Sequence, residues 1–74
     1  MAIFNVSARD GSVSLVIRAR CMSCARQLAA DRSPVHEKRL WRDPEMSSVE
    51  LVGHPERLGY FSEGMSGILK RVTT

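Results

Sequence analysis

The feature that most constrains this chain is a pair of alternating runs, IFNVSAR and SVSLVIRA, on either side of Asp10-Gly11. Apolar residues at every second position suit a strand with one buried face. Asp-Gly between two such runs favours a hairpin with a two-residue type I′ turn. Turn and alternation can be checked against each other. With Asp10 and Gly11 at the tip, Ala8 falls opposite Val13, Val6 opposite Leu15, and Phe4 opposite Ile17. All three pairs are apolar and share one face, so a single register satisfies both signals. The other face carries Asn5, Ser7 and Arg9 on the first strand and Ser14, Val16, Arg18 and Arg20 on the second. An antiparallel sheet can leave such a face in water, or its arginines can bind phosphate or carboxylate.

The next stretch, CMSCARQLAAD, places Cys21, Cys24, Ala25, Leu28 and Ala29 at helical spacing. It predicts a helix that covers the hairpin, with Arg26, Gln27 and Asp31 outward. Ser33-Pro34 ends it, because a residue before proline is pushed out of the α region. VHEKRLWRDPE reads as a third strand around Lys38 to Arg42, closed by a turn at Asp43-Pro44. SSVELV stays open between a strand, with Val49 and Leu51 alternating, and a helical turn capped by Ser47-x-x-Glu50. GHPERLGYFSEGMSG is a long loop, and GILKRVTT a last strand with Ile68 and either Val72 or Leu69 on the core side. The expected fold class is α+β: a small antiparallel sheet of three to four strands, hairpin first, with one helix packed on one face. All 74 residues form one domain on this reading.

A chain of this size buries only about 60 % of the surface its unfolded form exposes, so its core is small. Its hydrophobic fraction of 43 % is nevertheless that of a folded domain. No apolar run approaches the roughly 20 residues needed to cross a bilayer, and MAIFNVSARD lacks the regions of a signal peptide. The expected location is cytoplasmic, with no membrane partner. The net charge is +3, with nine arginines among eleven basic residues, which favours an anionic partner.

Cys21-Met22-Ser23-Cys24 admits several chemistries. Zinc needs about four ligands, usually as two short-spaced pairs. Beyond Cys21 and Cys24 only His36 and His54 remain, and they would have to converge from distant positions. A copper carrier of the heavy-metal-associated type also opens with a strand, a C-x-x-C and a helix. It carries Gly-Met-x ahead of the first cysteine, where this chain has Arg18-Ala19-Arg20, and a second helix where this chain has a loop. A thioredoxin-like dithiol would use the helix N-terminus and Arg18 and Arg20 to activate Cys21. Those folds add a later cis-proline loop, whereas Pro34, Pro44 and Pro55 sit in turn contexts. A bridge between the two cysteines would close a tiny loop and remove little unfolded-state entropy. The favoured reading is two small buried residues on the helix stripe, with no metal and no cofactor.

Catalytic patterns are thin. The chain has no Gly-rich phosphate loop, no His-Glu-x-x-His and no nucleophile elbow. His36-Glu37 and His54-Pro55-Glu56 read as loop surface, so the chain is expected not to be an enzyme. Trp41 is either a core anchor or, beside Arg39 and Arg42, a platform on which a base could stack. Tyr60 and Phe61 in the glycine-rich loop have no evident core duty, and aromatics are favoured at binding hot spots.

VIRARCMSCARQLAADR, followed by LWRDPEMSSVEL and GILKRV, resembles a set of short uncharacterised bacterial and phage proteins. They share a strand, a helix ending A-R-x-L-A, a W-x-D-P turn with a Ser/Thr-rich follow-on, and a closing strand. The matching residues are Ala25, Arg26, Leu28 and Ala29, then Trp41, Asp43, Pro44, Ser47 and Ser48. In that pattern the positions of Cys21 and Cys24 are generally not cysteine. The architecture is also similar to that of some small anti-CRISPR proteins, which bind an effector complex and block its sites. The first resemblance is silent on mechanism. The second, beside the thin catalytic patterns and the arginine-bearing sheet face, implies a non-enzymatic binding protein, an inhibitor from a phage or mobile element. Its partner would be a larger protein or ribonucleoprotein assembly with an acidic or phosphate-bearing surface. The expected contact residues are Arg9, Arg18, Arg20, Tyr60 and Phe61. Direct nucleic-acid binding through the same arginines and Trp41 is the alternative, beside a zinc or thiol-redox role for Cys21 and Cys24. A homodimer through the last strand's open edge is a further expectation.

Overall fold

The hairpin forms in the expected register. Strands β1 (Ala2–Ala8) and β2 (Val13–Ala19) run antiparallel, with Phe4 opposite Ile17 and Val6 opposite Leu15. The structure is a computed structural model that describes every residue from Met1 to Thr74. The hairpin tip departs from type I′. That turn needs positive φ at both central residues, but only Gly11 adopts one, at 80°. The Asp10 carboxylate instead accepts from the backbone N–H and the hydroxyl of Ser12. Asp10 thereby holds the turn with its side chain and leaves the left-handed position to glycine.

Strand β3 (Ser47–Leu51) pairs with β1, and β4 (Gly67–Thr73) pairs with β2. The result is an open four-stranded antiparallel sheet ordered β3-β1-β2-β4. Helix α1 (Met22–Arg32) and the short α2 (Lys38–Arg42) complete an α+β fold, with 3-10 turns at Val35–Glu37 and Pro55–Leu58. SSVELV resolves as strand β3, so the Ser47-x-x-Glu50 helical turn does not form.

One sheet face holds Phe4, Val6, Ala8, Val13, Leu15, Ile17 and Ala19, all buried in one cluster with Ala25, Ala29, Ala30 and Trp41. Alanines on the inner side of α1 let its backbone lie close to the strands, since a larger side chain would hold the two apart. Trp41 is fully buried and is the largest side chain in the core, beside these small alanines. Truncation of a tryptophan in such a place costs about 3–5 kcal/mol.

Residues 38–42 are helix α2, where the sequence suggested a strand. The physical reason lies in the neighbours Leu40 and Trp41. In a strand, adjacent side chains point to opposite faces, which would send one of this pair into water. In a helix they lie about 100° apart and share a face. Both pack on the core, Trp41 fully and Leu40 in part. Helical spacing also brings Trp41 Nε1 to the carboxylate of Glu37, one turn back, at 3.3 Å.

Arg26 is a second departure, since it turns inward and not to solvent. It donates to Trp41 O at 2.9 Å, Ser47 Oγ at 2.8 Å and Ser47 O at 2.9 Å. One guanidinium therefore ties α1 to both α2 and β3. Ser47 is itself fully buried and donates to Leu40 O. On the far edge, a bulge between Val16 and Ile17 resets the pairing of β4. Ile68 falls opposite Ile17 on the core side, while Val72 falls opposite Ser14 on the other face.

That other face is roofed in part. Ile3 is out of phase with Phe4 and Val6, lies outside the core cluster, and is still buried. Strand alternation puts it with Asn5, Val16 and Arg18, on the face that the segment after β3 crosses.

Candidate functional site

The segment 52–66 leaves β3 and crosses the second sheet face. Val52 N–H donates to Ile3 O, Gly59 ends the 3-10 turn with φ 86°, and Tyr60 N–H donates to Pro55 O. Leu58 and Tyr60 line a groove over the sheet together with Asn5, Ser14 and Val16. Arg18 then takes hold of the segment's far part. Its Nε donates to Phe61 O at 2.8 Å and its Nη1 to Met65 O at 3.1 Å. Gly64 lies between those two carbonyls with φ 122°, and a Cβ there would stand 2.6 Å from Arg18 Nη1. Glycine is needed at this position for backbone conformation and for room alike.

The clamp fixes the backbone and leaves the side chains outside. Phe61 is 68 % exposed and Met65 85 % exposed. Tyr60 is half-buried against the sheet, so of the expected aromatic pair only Phe61 is offered outward. Met65 was missed by sequence reasoning. Its only signal was an apolar residue between two glycines in a segment with no strand partner.

The arginines divide into two kinds. Arg9 donates through Nε and Nη2 to Pro44 O, at 3.1 and 2.9 Å, and so braces the Asp43-Pro44 turn. Arg18 is the loop clamp. Both guanidinium groups are engaged with backbone carbonyls of their own chain. Arg20 is exposed, and lines a groove of about 550 Å³ with Met1, Ala19, Cys24, Leu28 and Ser66. Ser66 adjoins Met65 in the chain, so this groove continues the surface that the clamped segment presents.

A second basic cluster, Lys38, Arg39 and Arg42, lines a shallow cleft with Asp43. Reading 38–42 as a strand concealed it, because helical spacing is what brings these side chains together. Glu37, beside it, is bound by both Nη groups of Arg71 on β4. That hydrogen-bonded partner holds the Glu37 carboxyl below its ordinary range, against the opposing effect of desolvation.

The cysteines are placed differently from the favoured expectation. Cys21 and Cys24 are joined in a disulfide and are half-exposed at the start of α1, so they are not two buried free thiols. Cys21 is the N-cap, and its Sγ accepts from Cys24 N–H at 3.1 Å. The metal alternative finds no supporting geometry, since nowhere do three His, Cys, Asp or Glu side chains converge. His36 lies near Glu37 at 3.8 Å and His54 near Glu56 at 3.5 Å, two separate surface pairs. The stacking role for Trp41 is corrected as well, because its ring is wholly inside the core. No helix is long and apolar enough to cross a membrane. Set against protein-family models, curated proteins and solved structures, the chain has no match.

Proposed function

We propose that this chain is a small cytoplasmic binding protein, not an enzyme, and that it presses the clamped segment onto an acidic surface of a larger protein or ribonucleoprotein assembly. The observation that carries this is the two-pronged hold of Arg18 on Phe61 O and Met65 O, with both side chains directed outward. Ordering a loop at an interface ordinarily costs about 0.5–1.5 kcal/mol for each immobilised side chain, and backbone held in advance reduces that penalty. An exposed aromatic and a flexible methionine, bordered by the free cation of Arg20, make an apolar centre with a basic rim. An inhibitor of the anti-CRISPR kind, from a phage or mobile element, would work by occupying such a site.

The acidic-protein reading is preferred to direct nucleic-acid binding for two reasons. Trp41 offers no ring for stacking, and two of the three arginines expected on the sheet face are already bonded within the chain. The test places a photo-crosslinking residue at position 61 and, as control, at position 45 on the opposite turn, in lysate of the native host. A discrete protein adduct from position 61 alone, lost on Met65→Ser or Arg20→Glu, is expected. Equal labelling from both positions, or adducts to nucleic acid that vanish at moderate salt, would contradict it.

A further inference from the structure

The disulfide borders the presented surface through Cys24, which lines the Arg20 groove, and it does little to hold the fold. It closes a four-residue segment, for which the loss of unfolded-state entropy is small. Cys24 packs against the edge of the core, whereas Cys21 stands outside it. Its surroundings are those of a reactive pair. Cys21 caps an eleven-residue helix whose first turn contains no acidic residue. Its Sγ accepts the Cys24 N–H and has Ser23 Oγ at 3.3 Å, with Arg20 next in the chain. A helix N-terminus and a nearby cation both favour thiolate over thiol. The groove of Met1, Arg20, Leu28 and Ser66 reaches the pair through Cys24, which is part of its lining, and it has no carboxylate.

We propose that Cys21 and Cys24 form a stoichiometric thiol–disulfide exchange site, one exchange per cysteine pair, whose substrate is a protein segment bearing two cysteines, with an apolar residue and a carboxylate near the first. The apolar residue occupies the groove against Met1 and Leu28, and the carboxylate meets Arg20. A thiolate of the substrate attacks Cys21 Sγ, the sulfur that stands off the core. The new S–S bond forms as the Cys21–Cys24 bond breaks, and Cys24 departs as a thiolate that takes a proton from water. A second substrate thiol then attacks the substrate's own sulfur in the mixed disulfide, and Cys21 departs as a thiolate held by Cys24 N–H. The substrate dithiol is oxidised by two electrons, and the Cys21–Cys24 pair is reduced by the same two. Run in reverse, reduced Cys21 attacks a substrate disulfide and Cys24 resolves the mixed species.

The first measurement needs no substitution. In the reduced protein at pH 7, iodoacetamide should modify Cys21 roughly tenfold faster than Cys24, the ratio given by about one decade of thiolate enrichment at the helix N-terminus. Equal rates, or a faster Cys24, would overturn the assignment. In Cys24→Ser, glutathione disulfide should build up a mixed disulfide at Cys21, read by intact mass. Cys21→Ser should form its adduct about tenfold more slowly, and adducts at matched rates would overturn the proposal. Arg20→Glu should slow the reaction of Cys24→Ser with anionic glutathione disulfide more than that with neutral hydroxyethyl disulfide, which reads the loss of thiolate alone. Equal slowing with both would confine Arg20 to the acidity of Cys21. Unchanged rates with both reagents would remove Arg20 from the substrate site.

Discussion

Arg26→Met should be among the most damaging single changes in this chain, although the residue sits on a helix side that sequence spacing assigns to solvent. Methionine keeps most of the aliphatic stem and deletes the fork. Lost with it are bonds to Trp41 O, Ser47 Oγ and Ser47 O, all between 2.8 and 2.9 Å. A hydrogen bond from a charged donor contributes about 1.5–3 kcal/mol, so a simple sum reaches about 4.5–9 kcal/mol. That sum overstates the loss. One Nη serves two acceptors, Ser47 Oγ keeps its bonds to Leu40 O and Asp43 O, and the guanidinium no longer has to be desolvated. A net of about 3 kcal/mol is the working figure. A domain of this length has about 4–11 kcal/mol in total, so the variant should melt roughly 12–24 °C lower. Arg26→Lys keeps the charge but cannot span three acceptors, and should fall between the two. Urea unfolding followed by the fluorescence of buried Trp41 reads the loss, with exposed Gln27→Met as a control expected within about 0.5 kcal/mol. If Arg26→Met also stays within about 0.5 kcal/mol of the parent, the tie between α1, α2 and β3 is not what holds these elements together.

Two further outcomes concern acid and the loop clamp. The Glu37 carboxyl is held low by its bond to Arg71, so the folded state gains stability that is complete above the unfolded value near 4.5 and is lost as pH falls through the folded value. The urea midpoint should therefore decline as pH drops below about 4.5, and Glu37→Gln should flatten that decline, whereas an unchanged profile would remove the pair from the account. Asp10, also held low through its bonds to Ser12, adds to the decline with the same sign, and Asp10→Asn isolates its share. Gly64→Ala places a methyl where Arg18 Nη1 lies and asks alanine for φ 122°. It should loosen the 61–65 backbone and cost about 1 kcal/mol or more, with proteolysis at Phe61 accelerated while the β1–β2 amide exchange is unaltered.

What could be read in advance followed from strict periodicity and local turn chemistry. Phe4, Val6, Leu15 and Ile17 declared their register because a one-residue slip would bury Asn5 and Ser14 in their place. α1 was visible through Ala25, Leu28 and Ala29, and the last strand through its apolar run. Five residues around Trp41 are too few for two periods to be told apart, and the decisive Leu40–Trp41 adjacency is informative only once a core exists to receive both. The roof over the second face was hidden because it depends on side chain to main-chain bonds over 43 and 47 positions, from Arg18 to Phe61 and Met65. Arginines on a strand look the same in sequence whether they wait for a partner or grip their own loop. Arg9 and Arg18 proved to be of the second kind, and Arg20 stays free of such bonds. The cysteine spacing was plain, whereas pairing and exposure depend on how far α1 stands off the core.

Whether the presenting surface is formed before any partner arrives can be measured on the isolated protein. Backbone 15N relaxation across residues 59–66 should give order parameters near those of β1 and β2, about 0.85, and Arg18→Ala should lower them toward about 0.6 with the strands unaffected. Values already below about 0.6 in the parent protein would mean that Arg18 does not hold Phe61 and Met65 in place, and would contradict the central claim.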